Sequence, residues 1–231
     1  MSAVGAAGAG GPRSPLARVF DDALVTAGAR ADPGERVAAF VDLARRYQEP
    51  GRHYHTLRHV AEMTAALRVL LAAERPAPAA RSSPEGATVH ACVLAGYFHD
   101  AVLVPRRIDN EQRSAQLAVA VLERLGCPGQ VGETVARLVL ATAAHRSHQP
   151  DEALVNDADL RILSRHPAAY DQYVRRVRRE YGGLDDQVWR AGRGAVVRAL
   201  LSGPVYATAW ARRAWEPTAR LNLLRELDAL G

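Results

Sequence analysis

The sequence predicts an all-α fold, and three observations carry that prediction. Apolar residues recur at three- and four-residue intervals along nearly the whole chain, the period of an amphipathic helix. Cap residues and glycine stops bracket these segments. No run of strand length alternates apolar and polar residues between turn signals.

The elements follow in chain order. "PLARVFDDALVTAG" sets Leu16, Val19, Phe20, Leu24 and Val25 on one face and stops at Gly28. "ADPGERVAAFVDLARRY" offers Asp32 as N-cap and Pro33 in the first turn. "HTLRHVAEMTAALRVLLAAE" is a long helix with Leu57, Val60, Met63, Leu67 and Leu70 on one side. "RPAPAARSSPEGA" is rich in Pro, Ser and Ala and predicts an exposed loop inside one domain. "TVHACVLAGYFHD" is apolar nearly all round, which predicts a buried central helix. "DNEQRSAQLAVAVLERLG" opens on an Asp–Asn cap and ends at Gly126. "GQVGETVARLVLATAAH" is a further helix, "NDADLRILS" a short one, and "PAAYDQYVRRVRREYG" one closed by Gly182. "LDDQVWRAGRGAVVRALLSG" and "EPTARLNLLRELDAL" bring the set to about nine or ten helices, with no internal repeat.

Length and composition bound the organisation. A chain of 231 residues with 48% apolar content fits one domain, placed here at 15–231 behind a disordered tail at 1–14. No run approaches the roughly 18 consecutive apolar residues of a membrane span. "MSAVGAAGAGGPRSP" lacks a leading positive charge and a strong apolar centre, so it reads as a tail and not a signal peptide, and the expected location is cytoplasmic. Cys92 and Cys127 are then read as free thiols. The net charge of +5 rests on 30 basic residues that are all arginine, a pattern of codon bias. The arginines are scattered apart from "YVRRVRREY", which argues against a nucleic-acid partner.

Against this background a few polar residues carry chemistry. In "YHTLRHV", His55 and His59 lie one helical turn apart on one face, about 6 Å along the axis. One can ligate a metal while the other handles a proton. His99 and Asp100 end the most apolar helix, where a charge needs a partner. Adjacent helical residues point about 100° apart, and both reach one ion only beside a helix end. With Asp159 of "NDADL" they form a mixed nitrogen and oxygen donor set suited to Mn, Fe, Zn or Mg. Each residue also has a plain reading. Asp157 caps the short helix or touches the metal. His145 and His148 satisfy terminal carbonyls, or His145 binds a second metal or the substrate phosphate. Tyr170, Tyr173 and Val177 form a core-facing stripe, or the tyrosines and Arg178 line a pocket.

Taken together these residues resemble the HD-domain superfamily of metal-dependent phosphohydrolases, whose pattern is an early helical His, a central His–Asp and a late Asp. The matching residues are His59, His99–Asp100 of "FHD", and Asp159 of "DADL". More narrowly, "RHYHTLRHV", "FHDAV", "DNEQRSA", "NDADLRIL", "YDQYVRRVRREY" and "VYATAWARRAWEPTARLNL" resemble bacterial predicted HD phosphohydrolases of unassigned substrate, over about Arg52 to Leu224. Leu103 departs from that pattern, which implies an aromatic residue there. "YHTLRH" is also similar to the "YHN..H" stretch of cyclic-nucleotide phosphodiesterases.

The resemblance implies a divalent ion held by His59, His99, Asp100 and Asp159, with Asp100 orienting a water and His55 as general acid. Glu111 joins the expected catalytic residues by orienting water or supporting a ligand. Arg52, Arg58, His145 and Arg178 are the expected substrate-binding residues. The substrate is expected to be a small phosphorylated molecule, a nucleotide among the candidates. Two other functions are weighed: a di-iron oxygenase on the same scaffold, and a non-catalytic nucleotide sensor.

Overall fold

The computed structural model describes residue 11, residues 13–74 and residues 85–231. Most of the expected tail and most of the Pro-rich loop lie outside these residues. Among the described residues all regular structure is helical: α1 (Pro15–Thr26), α2 (Pro33–Arg46), α3 (Leu57–Ala73), α4 (Glu85–Phe98), α5 (Asn110–Arg124), α6 (Gly129–Ala141), α7 (Pro150–Asp159), α8 (Pro167–Glu180), α9 (Asp186–Leu201), α10 (Ala209–Ala214) and α11 (Glu216–Leu230). A 3-10 turn, Leu160–Ser164, continues α7. No described helix is long and apolar enough to cross a membrane.

The all-α prediction holds, with local differences. Helix α10 was not anticipated, because six residues capped by Thr208 are too few to show a period. Helix α6 stops at Ala141, a turn before the expected His145, which sits in a left-handed conformation at φ 48°. Asp109 precedes α5 without capping it, since its carboxylate is taken by Arg107 at 2.7 and 2.6 Å. Asn110, the first residue of α5, instead ties down the preceding loop, accepting from the Val104 amide through Oδ1 and donating to the Val104 and Arg107 carbonyls through Nδ2. The Asp32 cap is present as a full capping box with Glu35, and Gly28 and Gly126 adopt the positive φ that closes α1 and α5.

Helix α4 is the axis of the domain. From Ala91 to Phe98 every residue is buried, and it packs on α1, α3, α5, α6 and α7. Each fully buried Leu or Phe there contributes about 1.5–3 kcal/mol relative to exposure. Two phenols tie the first helices to this axis. The Tyr47 hydroxyl donates to the Tyr97 carbonyl and the Tyr97 hydroxyl to the Leu16 carbonyl, both at 2.8 Å. Phe20 packs against Tyr97 with ring centroids 5.0 Å apart. Cys92 and Cys127 are buried, free thiols, and burial pushes Cys92 up to about 12.

The C-terminal helices clamp the segment that carries Asp159. Asp157, buried in α7, accepts from the Ala207 and Thr208 amides at 2.8 Å each, so it anchors the start of α10 and faces away from any metal role. The Tyr206 hydroxyl donates to the Leu160 carbonyl, and Asn222 donates to the carbonyls of Leu163 and Arg165. Beyond this clamp Arg193 of α9 forms a bidentate pair with Glu226 of α11 at 2.7 and 3.0 Å, and the Tyr170 hydroxyl donates to the same carboxylate. Tyr170 and Val177 are buried and Tyr173 packs on Tyr54, so the tyrosine stripe of α8 faces the core. Replacing Arg193 strands a buried carboxylate. The Arg193→Ala variant is expected to lose about 3–5 kcal/mol in urea or thermal unfolding, and Arg193→Met paired with Glu226→Leu to lose less than either single change.

Candidate metal centre

Three helix ends meet beside α4. His59 lies in the first turn of α3, His99 and Asp100 follow the last residue of α4, and Asp159 is the last residue of α7. Leaving the helix at Phe98 frees His99 and Asp100 from the divergence that adjacent helical residues would have. Their side chains instead converge: His99 Nε2 is 2.9 Å from Asp100 Oδ2. His59 Nε2 lies 3.1 Å from His99 Nε2 and 3.0 Å from Asp159 Oδ1. Two further separations, His59 to Asp100 and His99 to Asp159, are 3.7 and 3.5 Å. Both imidazoles are buried and both carboxylates partly so.

Three of these separations, 2.9, 3.0 and 3.1 Å, fit donors around one cation, and the 3.5 and 3.7 Å separations are wider. With metal–ligand bonds of about 2.0–2.1 Å, neighbouring donors stand roughly 2.9–3.4 Å apart in octahedral or tetrahedral geometry. His59, His99 and Asp100 form a group that could hold a metal ion, and Asp159 adjoins it through Oδ1. The His99 Nδ1 atom faces the Gly96 carbonyl at 3.1 Å, which keeps its proton there and leaves Nε2 with the lone pair a metal needs. The electrostatics agree. Burial works against a charged His99, yet Asp100 and Asp159 hold its pKa well above the usual value. Burial raises Asp100 and Asp159, and the surrounding histidines outweigh it and hold both low. Two carboxylates facing two imidazoles call for positive charge between them.

His55 stands beside this group, its Nε2 3.9 Å from Asp100 Oδ2. It is held by Glu180, a residue with no distinguishing signal in the sequence, where it reads only as the end of α8. The Glu180 carboxylate accepts from the amides of His53, Tyr54 and His55 through one oxygen and faces His55 Nδ1 at 2.6 Å through the other. Burial opposes protonation of His55, but Asp100 and Glu180 prevail and raise its pKa.

The expected substrate ligands are placed differently. Arg52 is turned inward: its side chain is 3% exposed, donates to the carbonyls of His55, Asp100 and Ala101, and stacks on Tyr47. It fixes the turn that presents the His–Asp pair and has no fork free for phosphate. Arg58 is exposed and pairs with Glu62 at 2.9 Å. Arg178 binds the Tyr181 and Leu184 carbonyls and Asp186, away from the cluster. Glu111 makes no hydrogen bond to the cluster among the described residues. His145 does reach it, with Nε2 2.9 Å from Asp159 Oδ2. The turn carrying it is held by Glu152, which accepts from the His148 and Gln149 amides and from Arg137.

Comparison of the chain with family models, curated proteins and solved structures returns no match. The functional reading therefore rests on the residues themselves.

Burial raises the Glu180 pKa, but its hydrogen bonds from His55 and the amides more than reverse this and leave it lowered. A carboxylate lowered by folding stabilises fully above its unfolded value of 4.5 and loses that contribution as pH falls through the folded value. Glu180→Gln is thus expected to cost about 1–2 kcal/mol at pH 7 in chemical denaturation, with the gap to the parent narrowing below pH 4.5.

Proposed function

We propose that this chain is a metal-dependent phosphohydrolase of the HD type acting on a small phosphorylated molecule. The observation that carries this reading is the convergence of two imidazoles and two carboxylates, His59, His99, Asp100 and Asp159, with a third imidazole poised beside them. A divalent ion bound by those four residues would supply an acidified water and a Lewis acid for the phosphoryl group. Asp100 uses one oxygen toward His99, which leaves its other oxygen to orient a water. His55, whose raised pKa favours the charged ring, can donate a proton to a leaving oxygen from Nε2 while Glu180 holds Nδ1. Arg52 acts at one remove by holding the carbonyls of Asp100 and Ala101.

One observation favours a second reading. Asp159 faces His59 with Oδ1 and His145 with Oδ2, so His145 and Asp159 would be the residues to hold a second ion. Two irons in that arrangement would suit an oxygenase, the alternative already weighed for this scaffold.

Metal analysis of protein purified without added ions separates the two. One Mn or Zn per chain supports hydrolysis, and two Fe with an optical band support the oxygenase. In a panel of nucleotides and phosphate esters with added Mn, turnover is expected from the parent. His99→Ala and Asp100→Ala are expected to lose bound metal and to cut turnover by at least about 100-fold, the upper end of what losing a residue that merely supports a ligand costs. His55→Ala should keep the metal while turnover drops about 10²–10⁴-fold. Unchanged metal content and turnover in both ligand variants would refute the assignment.

A further inference from the structure

A groove of about 220 Å³ lies beside the cluster, with His59 and Asp159 among its lining residues. Met63, Ala66, Val69 and Ile162 give it an apolar surface. Trp215 and two arginines, Arg161 and Arg165, also line it. This volume is below the roughly 300–1,000 Å³ of sites that enclose a drug-sized ligand, so it suits a short chain better than a base and sugar.

Arg161 is half-buried and Arg165 exposed, and they differ from several arginines that are already engaged. Arg36, Arg137, Arg178 and Arg193 are each matched by a carboxylate, and Arg52 is spent on carbonyls. Arg161 lies over the Trp215 ring at 4.6 Å and donates to the Ser164 hydroxyl. Neither it nor Arg165 has a carboxylate within ion-pair distance among the described residues. Their backbone is fixed where it stands, because Asn222 and Tyr206 bind the carbonyls of Leu160, Leu163 and Arg165. The groove's one other acid, Glu62, is already paired with Arg58. Two guanidinium groups without carboxylate partners on one groove can together hold an anion. From Asp159 the chain advances about 4 Å to Arg161 and roughly 12 Å to Arg165 at about 2 Å per residue, the scale of a short linear ligand.

We infer that the substrate carries a second anionic group, phosphate or carboxylate, bound by Arg161 and Arg165 and joined through a short apolar chain to the phosphoryl group at the cluster. The identity of the first anion rests on the phosphohydrolase reading; the arginine subsite does not.

Non-hydrolysable phosphonates test this by calorimetry on the full Mn-loaded chain. Hexane-1,6-diphosphonate and 7-phosphonoheptanoate supply the two kinds of second anion, and hexylphosphonate supplies none. At least one dianion is expected to bind about tenfold or more tighter than hexylphosphonate, and the tighter of the two identifies the group. Arg161→Gln and Arg165→Gln should each erode that preference while leaving hexylphosphonate unaffected. The exposed Arg165 keeps the test open should loss of the Trp215 stack unfold the Arg161 variant. No preference in the parent, or a preference that survives Arg165→Gln, overturns the inference. Dianion preference without turnover of any ester would uphold the subsite and sink the hydrolase reading; turnover without preference would do the reverse.

Discussion

The contact between His59 and His99 governs the rest of the site. Two imidazole nitrogens 3.1 Å apart repel one another if both present lone pairs and repel again if both carry protons. The Gly96 carbonyl fixes the proton of His99 on its other nitrogen, and two carboxylates close the ring of donors. Such a group is stable only around a positive charge, whether a shared proton or a metal ion. The domain holds this costly arrangement together by making it the meeting point of three helix ends, each anchored elsewhere.

Those anchors are polar residues of the interior. The His–Asp turn is held by Arg52, the entry to α3 by Glu180, and the end of α7 by Asp157 and Asn222. Each anchor bonds backbone amides or carbonyls that helix ends leave without partners. Arg52, close to the cluster in sequence, therefore does structural work. His99 is oriented by the Gly96 carbonyl and His55 by Glu180, which leaves the other His55 nitrogen facing Asp100.

The arginines divide along the same line. A composition rich in arginine hides function, because many of these side chains are spent on carbonyls and carboxylates. Only the tertiary arrangement separates Arg161 and Arg165, which face a groove without acidic partners, from Arg52, Arg58 and Arg178, which are already engaged.

Helical period, caps and glycine stops in the sequence were enough to specify an all-α chain, the burial of α4 and most helix limits, because these depend on contacts between near neighbours. Short α10 and the early end of α6 escaped, since six residues show no period and the His145 turn is set by Glu152 and Arg137. His59, His99, Asp100 and Asp159 could be picked out by residue type and spacing, but not their mutual distances. Those were decided by the crossing of α3, α4 and α7. Glu180 was invisible in the sequence because it acts on residues 125–127 positions away, and nothing local marks such a pairing. The direction in which each arginine points was likewise decided only by packing, because a long, flexible side chain takes its orientation from the partners that surround it.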